Sequence, residues 1–280
     1  MTVTDYLEMA GQADVLRDFE GSRFVADEQT DPVSGERRLL VTYCPAALAT
    51  NADWWAALPR IAADLVDAPD AILVRLHHTD GAPPRPWIRH TSYLRHAGGP
   101  AADTPATSAA PAAPATPSVM TVRRAEPEDE AALRRWVGQA LVNGAAHGPA
   151  GTLGDTAEIA AGLLALPGRK SFVAERGTTA IGHATLLCAE RDEVTGEAYV
   201  ELFDVLVEAD DEVRRAATDA LTRACIRQAT KAGAPLIGNV VHSVTDGGSG
   251  HGDRIVAKLI TQGWNPDHTL WYRQCGVTVS

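Results

Sequence analysis

The sequence predicts a mixed α/β protein built from two related parts, and three observations carry that reading. Strand-like and helix-like stretches alternate through most of the chain. An alanine- and proline-rich run, residues 99–118, divides it. Two short motifs recur on either side of that run, in the same order and around the same string of elements.

The part after the run sets out its elements in order. Residues 121–126 are extended, and Pro127 opens an amphipathic helix over residues 128–141 with acids in its first turn. A second helical stretch covers 156–166. Residues 171–176 and 180–192 are strand-like and joined by the turn residues Gly177 and Thr178. The turn Val194-Thr195-Gly196-Glu197 leads into a long apolar strand, 198–208. Residues 210–232 are helical, with apolar spacing at Val213, Ala217, Leu221 and Ile226. A buried strand (235–241), a glycine-rich loop (245–252), a short helix (253–263) and a last strand (268–275) complete it.

The part before the run is a shortened copy. DPVSGE at 31–36 matches DEVTGE at 192–197, and HTSYLRHAG at 90–98 matches HTLWYRQCG at 268–276. Between these anchors each part runs strand, helix, strand; in the first part the stretches are 39–45, 52–68 and 71–81. The copy lacks the glycine-rich loop and the short helix that follows it. The dividing run holds five prolines and a single charge, so it cannot bury enough apolar surface to offset its ordering entropy. It is expected to act as a semi-extended spacer, up to ~3 Å per residue.

Composition narrows the function. Basic residues number 25 and acidic residues 36, a net charge of −11. Nine bases face fourteen acids before the run, and sixteen face twenty-one after it, so no basic part hides under the average. Such a field repels nucleic acid and anionic membrane. No apolar run reaches the roughly 18 residues of a spanning helix, and Met1 is followed by polar residues unlike a signal peptide. Cys44, Cys188, Cys225 and Cys275 are scattered without a CxxC pair, which reads as reduced thiols of a cytoplasmic protein without structural zinc.

Four segments carry a family resemblance: TVRRAEPEDEAALRRW (121–136), FVAERGTTAIGHATL (172–186), the strand and helix at 198–234, and KLITQGWNPDHTLWYR (258–273). In the order β–α–α–β–β–β–α–β–α–β they resemble the GNAT superfamily of acyl-CoA-dependent N-acyltransferases. The resemblance implies a mixed, mostly antiparallel sheet flanked by helices, in a pseudo-repeated two-domain arrangement. A truncated GNAT-like domain would span 1–98, the linker 99–118 and a full acyltransferase-like domain 119–280. The co-substrate it implies is acetyl-CoA or another acyl-CoA, with no metal. The acceptor would be the amine of a small metabolite or antibiotic-like compound of secondary metabolism. The two parts would pair within one chain or across a homodimer.

Site residues follow by the same resemblance. The pantetheine arm would lie along Val205, Leu206 and Val207 like an added strand. The pyrophosphate would sit at the following helix N-terminus, near Arg214, Arg215, Ala216 and Thr218, where relatives carry glycines. Asp210, Asp211 and Glu212 stand in that turn and suit an ordinary helix start equally well. Glu201 matches the position of the family's general base, and Asp204 shares its strand. Three positions apart, the two carboxylates are expected on opposite faces of the sheet. The family's tyrosine acid is replaced by Leu259, and the asparagine six residues earlier in its helix by Asp253. His242, at a strand end, and His251, in the glycine-rich loop, are the candidates to replace the acid. The turn of the shortened copy has neither glycine nor base, so that copy is expected to complete the acceptor pocket or to stabilise the sheet. Two further functions stay open: a GNAT-type fold turned to lyase, decarboxylase or cyclase chemistry in a biosynthetic pathway, and a non-catalytic small-molecule binder. A transferase using aminoacyl-tRNA is disfavoured by three lysines and two acidic parts.

Overall fold

The structure, a computed structural model, describes residues 1–98, 120–146, 153–243 and 250–276. The expected linker and most of the glycine-rich loop lie outside them. Among the described residues eleven strands form one sheet. The N-terminal part contributes α1 (Val3–Gln12), β1 (Leu16–Phe19), β2 (Ser22–Thr30), β3 (Arg37–Tyr43), α2 (Ala46–Ala49), α3 (Ala52–Leu65), β4 (Ala71–His77) and β5 (Ile88–His96). The C-terminal part contributes β6 (Met120–Arg124), α4 (Glu130–Ala145), α5 (Thr156–Leu164), β7 (Arg169–Arg176), β8 (Thr179–Arg191) and β9 (Ala198–Val207). It ends with α6 (Asp211–Ala232), β10 (Leu236–Val241), α7 (His251–Thr261) and β11 (Asn265–Gln274). The sequence reading found most of these, but not α1, β1, β2 or the short α2.

The strand order is β1-β2-β3-β4-β11-β5-β10-β9-β8-β7-β6. Only β3–β4 and β9–β10 pair in parallel, so the sheet is mixed and mostly antiparallel. Its centre holds an exchange: β5, the last strand of the first part, pairs with β10, while β11, the last strand of the second, pairs with β4. The two exchanged strands pair antiparallel with each other. Their register joins Thr91 to Leu270 and Ser92 to Thr269. The repeated motifs equate 91 with 269 and 92 with 270, so each of these pairs maps onto the other about a local two-fold axis.

The other repeated motif is explained by its turn. Asp31 Oδ1 accepts from the amides of Val33 and Ser34 at 2.9 and 2.8 Å, and Asp192 Oδ1 from those of Val194 and Thr195 at 3.1 and 2.8 Å. In both turns the glycine amide returns to the aspartate carbonyl, at 2.8 and 2.7 Å. Gly35 and Gly196 have φ of 71° and 70°, which a side chain would strain. Asp-x-Val-Ser/Thr-Gly-Glu recurs because the same Asx turn is built twice.

Two main cores cover the sheet where α3 and α6 pack on it. Trp54 and Trp55 of α3 are buried with Phe24, Leu39, Val41 and Trp87, and the Trp55 indole N–H donates to the Ala49 carbonyl at 2.8 Å. Leu221, Cys225 and Ala229 of α6 pack with Leu186, Val200, Leu236 and Trp264. A third, smaller core joins Leu133, Trp136 and Val137 of α4 to α5 and Val173.

Because each part lends the other its last strand, neither can close a sheet alone. Residues 1–98 and 120–280, expressed separately, are expected to be unfolded or aggregated, and together to form a soluble 1:1 complex. Circular dichroism and gel filtration check this; a folded, monomeric 120–280 fragment would contradict it.

Candidate active site

The cleft begins where β9 and β10 part. They pair at Val200↔Leu236, Glu201↔Ile237 and Leu202↔Gly238 and no further, although β9 continues to Val207 and β10 to Val241. The Trp264 ring packs on the last pair, so close that a Cβ at Gly238 would lie 3.2 Å from it. On its other side β9 stays paired with β8, but there Asp204 aligns with Thr185 and Leu202 with Leu186, leaving Phe203 as a bulge. A cleft of about 900 Å³ opens beyond the divergence, lined by residues 203–207 and 239–241 together with α4, α6 and α7. Along this wall β9 presents a strand edge that β10 no longer covers. An extended chain carrying amides would complete such an edge.

The bulge corrects one expectation. Val200 and Leu202 pack on the α6 side of the sheet, and beyond the bulge Val205 and Val207 do so as well. Glu201 and Asp204 therefore share the opposite face, because the extra residue resets the alternation that their spacing implied. Asp204 lines the cleft. Its Oδ2 lies 3.2 Å from Nε2 of the fully buried His183, whose ring stacks on Trp136. Glu201 does not line the cleft. Burial, helped by the neighbouring Glu190, pushes its carboxyl up to about 7.

At the α6 N-terminus, Asp210 caps the helix by accepting from the Val213 amide at 3.1 Å, and Asp211 pairs with Arg214. These acids do the work of an ordinary helix start. Arg214 and Thr218 line the cleft, whereas Arg215 and Ala216 are exposed away from it.

The histidine candidates separate. His242 is buried, with Nε2 2.8 Å from Ser92 Oγ, and α7 lies so close that a Cβ at Gly252 would stand 2.6 Å from Nδ1. Asp253 pairs with Arg89 at 2.5 Å and comes within 3.6 Å of His242. Neither lines the cleft; together they fasten α7 to β5. His251, at the start of α7, does line it and is exposed.

Sequence reasoning missed the residues that the N-terminal part supplies. Asp31, Glu36, Arg38 and His90 all line the cleft. Arg38 pairs with Asp31 at 2.9 Å, and the Tyr272 hydroxyl donates to Glu36 at 3.0 Å. His90 stacks on Tyr272, and burial pushes its pKa down to about 4, so it is a neutral imidazole. Their signal was present in the two repeated motifs, which contain Asp31, Glu36 and His90.

No family model and no curated protein matches this chain. Solved structures do. A GCN5-related N-acetyltransferase from Kribbella flavida aligns at 14% identity over 99% of this chain and 96% of its own, with a TM-score of 0.45. A tandem GNAT protein from the clavulanic acid biosynthesis pathway aligns at 11% identity over 98% and 89%, with a TM-score of 0.43. A GNAT-family protein from Novosphingobium aromaticivorans aligns at 12% identity over 96% and 95%, with a TM-score of 0.40. These three similar structures are named as GNAT or GCN5-related proteins, one of them a tandem form.

The raised Glu201 pKa carries a stability consequence. Between the ordinary carboxyl value of 4.5 and about 7 the folded chain holds a proton that the unfolded chain has lost. Stability from this site is therefore complete below pH 4.5 and falls as pH rises through 7. Glu201→Gln is expected to stabilise the protein by up to about 3 kcal/mol at pH 8 and to have little effect at pH 4.5. Urea titrations at both pH values check this; an equal effect at the two would contradict it.

Proposed function

We propose that this chain transfers an acyl group from acyl-CoA to the amine of a small molecule. The observation that carries the reading is the divergence of β9 and β10 past Leu202 and Gly238, which leaves a strand edge along a cleft of about 900 Å³. Pantetheine is an extended chain with two amides, and such an edge suits it. The far end of the cleft carries Arg214 and Thr218 on the first turns of α6, where a diphosphate would compete with Asp211 for the Arg214 guanidinium.

The acceptor would enter from the side walled by the N-terminal part, between Asp31, Glu36 and His90. Carboxylates there favour a cationic amine. An ammonium must lose a proton before its nitrogen can attack a thioester carbonyl, and a carboxylate of β9 serves as the acceptor of that proton. The neutral His90 supplies a hydrogen-bonding group without adding a positive charge to repel the substrate. Acyl transfer then places the acyl group on the nitrogen and releases the CoA thiolate.

The Asp210 cap and the Asp211–Arg214 pair favour a second reading, in which the same cleft binds a small molecule without an acyl-CoA donor. Melting curves in acetyl-CoA discriminate the two. Under the acyl-transfer reading, acetyl-CoA at 100 times its Kd adds about 2.7 kcal/mol of stability. Thr218→Trp, whose indole would fill the donor end, is expected to abolish the shift while melting close to the unliganded parent. No shift for the parent at millimolar acetyl-CoA would contradict the proposal.

A further inference from the structure

A chain of polar side chains runs through the interior of the sheet behind the cleft. Glu130 of α4 pairs with Arg169 at 3.2 Å, and Arg169 Nη1 donates to Ser171 Oγ at 3.3 Å. Ser171 Oγ lies 2.9 Å from Thr185 Oγ1, which lies 3.1 Å from His183 Nδ1. Ser171, Thr185 and His183 are 3, 2 and 0% exposed. The chain ends at the cleft, where His183 Nε2 lies 3.2 Å from Asp204 Oδ2, two buried atoms that make no hydrogen bond of good geometry to any described group.

The direction of the chain follows from what each group can do. A guanidinium only donates, so Ser171 Oγ accepts from Arg169. The buried Ser171 hydrogen then has Thr185 Oγ1 as its acceptor, and the Thr185 hydrogen has His183 Nδ1. With the chain donating in that direction Nδ1 is an acceptor, and the imidazole proton sits on Nε2, with Asp204 Oδ2 3.2 Å away. The opposite tautomer would set the Nε2 lone pair against a carboxylate oxygen where both atoms are buried, leaving two acceptors facing each other at a cost of several kcal/mol. Both arguments select the same proton position. Trp136, stacked at 5.6 Å with an interplanar angle of 4°, fixes the plane of the ring.

We infer that Asp204 is the carboxylate that takes the acceptor's proton, and that His183 is the positioning residue that holds it. The inference rests on the acyl-transfer reading. With Oδ2 buried beside His183 Nε2, Oδ1 is the carboxylate oxygen left to the cleft. An ammonium N–H breaks, its electron pair stays on nitrogen, and the proton bonds to Asp204 Oδ1. The nitrogen pair forms the C–N bond at the thioester carbonyl, and the C–S bond breaks with its pair leaving on sulfur. The proton on Asp204 passes to that thiolate, the second nitrogen proton leaves to water, and the carboxylate is restored. The bulge at Phe203, which lies just past the point where β9 and β10 part, turns Asp204 to this face.

The test has two independent arms on the full chain. The first is the side-chain ¹H–¹⁵N spectrum of ¹⁵N-histidine protein, with the His183 signal assigned from its loss in His183→Gln. An Nε2–H tautomer is expected; an Nδ1–H tautomer would overturn the inference whatever the activity. The second is steady-state kinetics with acetyl-CoA and a fixed panel of primary amines comprising a diamine, an arylalkylamine and an amino sugar. Asp204→Asn is expected to lower kcat by about 100-fold or more, with KM for acetyl-CoA unchanged. His183→Phe keeps the stacked ring but has no donor, and should fall nearly as far. His183→Gln keeps an N–H near Nε2 and should recover to within about tenfold of the parent. Parent-like kcat in Asp204→Asn, or equal loss in the Phe and Gln variants, would overturn the assignment. A parent that neither binds acetyl-CoA nor acetylates any amine would instead overturn the acyl-transfer reading, and the tautomer would then decide the pair on its own.

Discussion

The antiparallel pairing of β5 with β11 is the constraint on which the rest of the structure depends. Each is the last strand of one part and each is built into the other, so the seam cannot form unless both parts are folded. It also sets the site. By carrying β5 onto β10, the exchange brings His90 to the cleft and seats the 31–36 turn across from the bulge of β9. One wall of the cleft thus comes from residues more than a hundred positions away in sequence from the strand edge it faces. The seam is built from paired backbone groups on a well-covered sheet, each hydrogen bond worth about 1 kcal/mol net and cooperative with its neighbours.

The pseudo-symmetry makes the asymmetry of function intelligible. Both parts have a parallel strand pair joined by a helix in the same place, β3–β4 by α3 and β9–β10 by α6. In the first part the pair keeps register over residues 38–41, and Trp54, Trp55 and Trp87 fill the core beneath it. The α3 N-terminus is closed by Asn51, which accepts from the Asp53 and Trp54 amides. In the second part the pair opens after three residues, and the helix beside the gap carries Arg214 and Thr218. One copy became packing and the other stayed open, and the packed copy lends the open one its wall.

Much of this was legible in the sequence, and the rest was not for definite reasons. The Asx turns announced themselves because Asp, Ser or Thr, and Gly are each required by a backbone geometry, and the helices and central strands because their apolar spacing is regular. The strand exchange was hidden, since local pattern says that a segment is a strand and nothing about its neighbour. The bulge was hidden as well: Phe203 carries no glycine to mark it, and without it the spacing of Glu201 and Asp204 misassigns a face. Ser171, His183 and Thr185 read as ordinary strand positions, because their burial and mutual contacts arise only when β7 and β8 pair. The acids of the donor turn were legible in both roles, and the Asp210 cap and Asp211–Arg214 pair now account for two of the three.

The central claim is that the edge of β9 beyond its divergence from β10 receives the donor as an added strand. Amide hydrogen exchange in the presence and absence of saturating acetyl-CoA tests it most directly. The account predicts slowed exchange concentrated at residues 203–207, with residues 41–43 of the closed copy unchanged. Equal exchange at 203–207 in both conditions, or protection confined to the first copy, would contradict it.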